Sequence, residues 1–290
     1  MRTWLLRIIA HLPLPAIHAI GSVVGWWYFG TGRMARRTHE NIVASGIARD
    51  TTELKSMVRR SMAESGKGAL EIIAIWLRPQ KKILKWMRAC HGWGHVEEAW
   101  RDKRGIIFLT PHLGCFEITA QYYSAHRPIS VLYRPPRQAW LAPLIESGRA
   151  RGNINLAPTT LKGVRELVRA LKKGDAIGIL PDQNPGKNEG EWADFFGRPA
   201  YTMTLAHRLA QSTGAKVLMA FGERLPWGRG FIMHIEPLDT DPTPQAINQA
   251  IERLILRKPE QYLWSYPRHR KPKGVEPPPV AVPAAAHDLE

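Results

Sequence analysis

Residues 105–117 read Gly-Ile-Ile-Phe-Leu-Thr-Pro-His-Leu-Gly-Cys-Phe-Glu. An imidazole is the side chain best suited to move a proton near neutral pH, and a carboxylate that accepts from one ring nitrogen leaves the other free as a base. His112 and Glu117 are candidates for that pair. Five residues on a regular helix subtend about 140°, since each residue turns roughly 100°. The two side chains therefore meet only if His112 lies in the turn before a helix and Glu117 in its first turns. The local sequence suits this: Ile106 to Leu109 is a short apolar run, as in a fully buried strand. Pro111 ends it, Gly114 permits a tight turn, and Phe116 to Tyr123 has helical spacing. A histidine that merely caps a strand beside a surface glutamate is the plain alternative.

Other elements supply further polar groups at strand and helix ends. Strands are expected at 105–110, 129–133, 176–180, 215–221 and 230–236. Helices are expected at 50–77, 116–125, 138–150, 161–172, 201–213 and 243–257. The first of these helices starts at a capping-box-like Asp50 and Glu53, with Gly66 and Gly68 as interruptions. Apolar runs separated by amphipathic helices predict an α/β fold, a mixed central sheet flanked by helices. Arg134 follows a strand end, where α/β sheets gather ligand contacts, although a surface role suits it equally. Asp182 follows the apolar strand 176–180, but as a bare Pro-Asp-Gln it reads as a turn. Arg149 and Arg151 end a helix, where cations also simply complement the helix dipole. Cys90, His91 and His95 lack a fourth partner at zinc-site spacing, so no metal site is expected. Walker A, dinucleotide and Gly-x-Ser-x-Gly patterns are absent from the sequence.

Five segments occur in a telling order: His112 to Glu117, Val131-Leu132-Tyr133-Arg134-Pro135, Gly148-Arg149-Ala150-Arg151, Leu180-Pro181-Asp182-Gln183, and Phe195 to Thr202. Pro259-Glu260-Gln261-Tyr262-Leu263-Trp264 follows them, then a basic cluster. In this order and spacing, over roughly residues 5–272, the chain resembles the bacterial lipid A biosynthesis acyltransferases. These are a branch of the lysophospholipid acyltransferase superfamily with a His-x4-Asp/Glu motif. The resemblance implies a glycerolipid-acyltransferase-like fold. It also implies transfer of a fatty acyl group from an acyl carrier protein or coenzyme A thioester to a hydroxyl of an anionic glycolipid, a lipid A precursor. Under that reading His112 is the base and Glu117 its orienter, with no seryl nucleophile and no cofactor. Arg149 faces the site, gripping phosphate or polarising the thioester carbonyl. Asp182 pairs with Arg149 or accepts from the acceptor sugar, Gln183 lies nearby, and Arg134 is a further substrate contact. Phe195 and Phe196 line an acyl channel. The chain departs from the family at Cys115, where a small polar residue is usual, and at Tyr266-Pro267-Arg268, where His-Arg-Arg is usual.

Composition agrees with a membrane enzyme. The 290 residues carry 41 Lys+Arg against 25 Asp+Glu, a net charge of +16, which predicts an anionic partner. Eleven tryptophans favour a membrane surface over nucleic acid. The two cysteines suggest no disulfide framework and a reducing compartment. Leu12 to Phe29 is an 18-residue, mostly apolar stretch. Two placements suit it, spanning the bilayer or lying in one leaflet; a buried hairpin of the globular domain is the alternative. Trp26, Trp27, Tyr28 and Phe29 suit an interface. Arg33, Arg36 and Arg37 then favour an inner-membrane protein with its catalytic domain on the cytoplasmic side. The expected organisation is an anchor at 1–30, an acyltransferase domain at 31–272 and a Pro/Ala-rich disordered tail at 273–290. Rival functions are acyl transfer to another lipid (lysophospholipid, other glycolipid or aminolipid), thioester hydrolysis, and a non-catalytic basic protein bound to membrane or nucleic acid.

Overall fold

The computed structural model describes residues 2–134 and 142–279. The chain begins with helices α1 (Arg2–His11) and α2 (Leu14–Val24), separated by Pro13, which starts α2. A π-helical turn (Gly25–Phe29) leads to α3 (Gly32–Ser45) and the long α4 (Thr51–Leu77). Then come α5 (Gln80–Leu84), β1 (Met87–His91), α6 (Trp93–Arg101), β2 (Ile106–Leu109), α7 (Phe116–Ser124) and β3 (Ile129–Tyr133). They are followed by α8 (Ala142–Arg149), β4 (Ile154–Pro158), α9 (Leu161–Lys172) and β5 (Ala176–Ile179). The chain closes with the hairpin β6 (Gly190–Phe195) and β7 (Arg198–Met203), then α10 (Leu205–Thr213), β8 (Lys216–Arg224), β9 (Phe231–Pro237) and α11 (Pro244–Arg257).

Seven strands form one sheet in the order β1-β9-β8-β2-β5-β3-β4. All neighbours are parallel except β8 and β9. Successive side chains alternate between faces. Ile107, Leu109, Ile177, Ile179, Val217 and Met219 pack with Leu167 of α9, Leu209 of α10 and Ile251 of α11. Ile106, Phe108, Ala176 and Leu218 pack on the opposite face with Val96 and Ala99 of α6 and Tyr123 of α7. The expected α/β architecture, a mixed sheet between helical layers, is therefore observed.

Several local expectations need correction. Helix α4 starts at the Asp50 cap, whose side chain accepts from the Glu53 amide at 2.7 Å, but it runs unbroken through Gly66 and Gly68. Gly66 is there for proximity: a Cβ at that position would stand 2.0 Å from the Gly21 carbonyl oxygen and 2.5 Å from the Gly25 nitrogen. The helix expected from residue 201 starts at Leu205, because Arg198–Met203 is the second strand of the hairpin. Of the helix expected over 138–150, residues 142–149 are helical and 138–141 lie outside the described residues. Residues 273–279 follow the body of the protein: Val275 is buried and Trp192 Nε1 donates to the Glu276 carbonyl at 3.0 Å. The rest of the expected tail, 280–290, lies outside the described residues.

No helix among the described residues is long and apolar enough to cross a membrane. The stretch 12–29 is bent into α2 and the π-helical turn. One side of it is buried against α4, and a buried charge cluster fastens it. His18 Nε2 lies 3.0 Å from Glu71 Oε2, and Arg224 Nε donates to the same oxygen at 2.9 Å. Arg224 also bonds Glu71 Oε1 and Glu64. Burial alone raises the Glu71 carboxyl, but Arg224 and then His18 outweigh it and bring it down to about 2.

Candidate active site

Strand register assembles the first pair. β2 and β5 run parallel with Leu109 opposite Ile179, so three residues past each partner stand His112 and Asp182. The Thr110 amide still bonds the Ile179 carbonyl at 2.9 Å, which carries the alignment beyond the strand ends. Asp182 then holds His112 at two points. Its Oδ2 accepts from the His112 backbone amide at 2.9 Å, and its Oδ1 lies 2.8 Å from Nδ1. Asp182 is 2% exposed. Burial pushes its carboxyl up, but the charge and hydrogen bonds of His112 outweigh this and hold it below the usual carboxylate range. A carboxylate on Nδ1 requires the proton there, so Nε2 is left as the basic nitrogen. Gln183 Nε2 lies 3.2 Å from His112 Nε2 and can donate to it.

The partner of His112 is thus Asp182, and the expected bond from Glu117 is not made. Glu117 does lie in the first turn of α7, but its carboxylate turns away from His112. It accepts from Arg149 Nε at 2.8 Å, again from Arg149 Nη2, and from Trp76 Nε1 at 3.2 Å. Of the two roles expected for Asp182, pairing with Arg149 is not observed, because Glu117 holds that guanidinium. Arg149 sits with its guanidinium carbon 5.7 Å from the Trp76 ring and 5.9 Å from the Tyr133 ring. Arg151 is structural, donating to the Gly148, Arg78 and Ile75 carbonyls and so closing the end of α4. Arg134 is exposed just past β3 and bonds none of the other five candidates.

The turn that carries His112 is clamped from the carboxyl-terminal side. Gly114 has φ +59, and a Cβ there would stand 2.1 Å from the Gly222 carbonyl oxygen. The Leu263 amide donates to the His112 carbonyl and the Gly114 amide to that of Gln261, both at 3.0 Å. Tyr262 is buried, near the Asp182 carboxylate. Burial first, and that carboxylate second, push the phenol well above its ordinary value. Trp76, Gln261 and Tyr262 escaped sequence reasoning as site residues. Only the ordered Pro259–Trp264 segment signalled the last two.

His112, Gln183, Phe116, Gly114 and Tyr262 line an open cleft of about 350 Å³, walled opposite by Glu64, Ser65, Gly68 and Ile72 of α4. Beneath it a narrow apolar cavity of about 40 Å³ runs between α7 and the sheet, lined by Phe108, Ala120, Tyr123, Val131 and Gly178, with Glu117 and Arg149 at its polar end. Phe116 lines both spaces, its ring 4.8 Å from that of His112. Phe195 and Phe196 line neither space. Phe195 is core, packed against Tyr262. Arg268, in the basic cluster, is buried and donates to Asn184, Tyr201, Thr202 and Asn248. Among the described residues no three His, Cys, Asp or Glu side chains converge on a possible metal position.

The model of the bacterial lipid A biosynthesis acyltransferases matches residues 2–271. The lipid A biosynthesis lauroyltransferase of Escherichia coli is 27% identical over 287 aligned residues, covering 94% of this chain and 93% of that protein. The palmitoleoyltransferase of the same organism is 25% identical, with 94% and 92% covered. A lipid A biosynthesis acyltransferase of Haemophilus influenzae is 26% identical, with 91% and 87% covered. A strand-end histidine that lines an open cleft is thus found in a chain that matches the family model over residues 2–271, and the chain belongs to the bacterial lipid A biosynthesis acyltransferase family.

Proposed function

We propose that this acyltransferase moves a fatty acyl group from a thioester of acyl carrier protein or coenzyme A to a hydroxyl of a lipid A precursor. The observation that carries the reading is the orientation of His112, with Nδ1 committed to Asp182 and Nε2 directed to Gln183 at the cleft. The acceptor hydroxyl replaces the Gln183 amide at Nε2 and gives up its proton there as its oxygen attacks the thioester carbonyl. Collapse of the tetrahedral intermediate expels the thiolate, which takes the proton back from the imidazolium. Asp182 stabilises that imidazolium, and positioning the hydroxyl beside the base supplies much of the rate. Arg149, held by Glu117 and Trp76, offers a cation for the developing oxyanion or for an acceptor phosphate. The reading needs no metal or organic cofactor, because the thioester carries the activation.

The apolar cavity under Phe116 is the proposed seat of the acyl chain. A cavity of about 40 Å³ has room for a few waters, each needing about 10–15 Å³, so entry of a chain requires Phe116 and the α7 side chains to move. The reading places the protein on the cytoplasmic face of the inner membrane, where acyl thioesters and the glycolipid meet.

The test is to incubate detergent-purified protein with an acyl-carrier-protein thioester and an under-acylated lipid A precursor, then weigh the lipid by mass spectrometry. The expected result is a gain of one acyl mass, lost in His112→Ala. No gain with this acceptor, but a gain on a lysophospholipid, would move the acceptor and keep the chemistry. Release of free fatty acid without acylated product would make the protein a thioesterase.

A further inference from the structure

One run of chain grips both turns of the site. Its first residues hold the His112 turn, through the Gln261 carbonyl and the Leu263 amide. Its next residues hold the other turn, Pro181-Asp182-Gln183-Asn184, and they do so through Asn184. The Asn184 amide donates to the Tyr266 hydroxyl at 2.9 Å, and its Nδ2 donates to the Arg270 carbonyl at 2.6 Å. Its Oδ1 accepts from Arg268 Nη1 at 2.9 Å. The run is itself anchored, because Asn41 of α3 donates to the Trp264 carbonyl at 2.6 Å and to that of Tyr266 at 3.1 Å.

Arg268 is the centre of this contact. It is 3% exposed. Besides Asn184 it donates to the Tyr201 carbonyl at 2.7 Å, to Thr202 Oγ1 at 2.6 Å and to Asn248 Oδ1 at 3.0 Å. All these acceptors are neutral. Burial holds the guanidinium below its ordinary value, with Tyr262 and Asp182 acting against that. A buried cation bonded only to neutral groups is a costly way to join a hairpin to a helix, since desolvation is poorly offset. What the guanidinium adds is a rigid planar fork. It fixes β7, α11 and Asn184 relative to one another, and so ties a turn to the core. Asp182 and Gln183 immediately precede Asn184. One bonds His112 Nδ1 at 2.8 Å, and the other lies 3.2 Å from Nε2. Any slip of Asn184 disturbs both contacts at once.

We infer that Arg268, acting through Asn184, is a positioning residue that sets the Asp182–Gln183 turn against the two ring nitrogens of His112. The inference rests on the proposed role of His112 as base, and its test reads geometry apart from rate.

Nitrogen NMR of the full chain with isotope-labelled histidine reports which ring nitrogen carries the proton, and His112→Ala assigns the signals. In the wild type the His112 proton is expected on Nδ1. Asn184→Ala and Arg268→Lys are each expected to give a mixture with Nε2, because a lysine ammonium cannot reproduce the planar fork. In the mass-spectrometric assay both are expected to lower kcat about 10- to 100-fold with KM changed less than about 2-fold, as for a reacting group misplaced by about 1 Å. The double variant is expected to be no slower than the slower single one, since both changes break one contact. Melting temperatures show that each variant is folded. Asn184 is only partly buried, so its alanine variant carries the test even if Arg268→Lys fails to fold. A lowered Tm with the tautomer and kcat unchanged overturns the inference and leaves Arg268 a purely structural link. A wild type that acylates no lipid, with a tautomer that still responds to Asn184→Ala, overturns the proposed function and upholds the positioning.

Discussion

At the scale of single residues, the site turns on which acid touches which base. An asparagine at position 182 can accept only one of the two N–H bonds that Asp182 now accepts. Its amide also favours the imidazole tautomer with the proton on Nε2, where a base must be unprotonated. Asp182→Asn should therefore lower kcat about 10²–10⁴-fold, the range of general-base catalysis, with a smaller change in KM; steady-state kinetics on the mass-spectrometric assay check this. Glu117→Gln acts elsewhere, leaving the His112–Asp182 pair intact while Arg149 loses its carboxylate. If Arg149 grips the acceptor or the oxyanion, that variant lowers kcat/KM but keeps the pH profile of the wild type. Tyr262→Phe removes only the hydroxyl near Asp182. It should reduce kcat several-fold and shift the acidic limb of the pH–rate profile, while a purely structural loss would lower Tm and leave that limb in place. The proposed base was legible as a candidate because an apolar strand ending in Thr-Pro-His is a local pattern. Its partner was not, since the meeting of residues 112 and 182 depends on β2 lying beside β5, and no local pattern encodes strand order.

The same division runs through the elements. Strands β2, β3, β5, β8 and β9 are short apolar runs and were readable as such. β1, with Met-Arg-Ala-Cys-His, carries no such run because it sits at the sheet edge. The hairpin β6–β7 was hidden because Tyr201-Thr202-Met203 fits the start of a helix as well as the end of a strand. Glycine in mid-helix normally weakens it, so Gly66 read as a break. Its role is set by Gly21 of α2 and Gly25 of the π-helical turn, far back in the sequence, whose backbones rest against it. That contact makes a prediction for the helix pair. Gly66→Leu has no room in which to place its side chain, so α2 must lift from α4. The expected loss is roughly 1–3 kcal/mol, as for other overpacked sites, measured by urea unfolding. Lys67→Ala, one position along but part-exposed, is the control and should change stability far less.

At the scale of the whole molecule, charge balance and buried carboxylates predict sensitivity to acid. The protein already carries a net charge of +16, so each carboxylate that is protonated adds to its self-repulsion. The buried carboxylates Glu71 and Asp182 are both held below their ordinary range, Glu71 to about 2. The sign follows from linkage. A depressed folded-state value means that the unfolded chain binds protons first, so the stabilisation is fully present above the unfolded value near 4.5 and disappears as pH falls toward 2. For Glu71 the difference corresponds to roughly 3 kcal/mol. Stability by urea unfolding should therefore fall most steeply below about pH 5.5, after a smaller decline from pH 7 as the unfolded chain protonates His234 and His269, both held below their ordinary value by burial. Glu71→Gln keeps a hydrogen-bond acceptor for Arg224 but cannot titrate. It should be less stable at pH 7, because Arg224 then shares a buried site with one anion instead of two, and a broken buried pair costs several kcal/mol. Its stability should nevertheless decline less between pH 5.5 and 3 than that of the wild type. Because Glu71 also receives His18, the variant loosens α2 from α4. Parallel urea-unfolding curves of the wild type and Glu71→Gln across pH 3–7 check both differences, and equal declines in the two proteins would remove Glu71 as the source of the acid sensitivity.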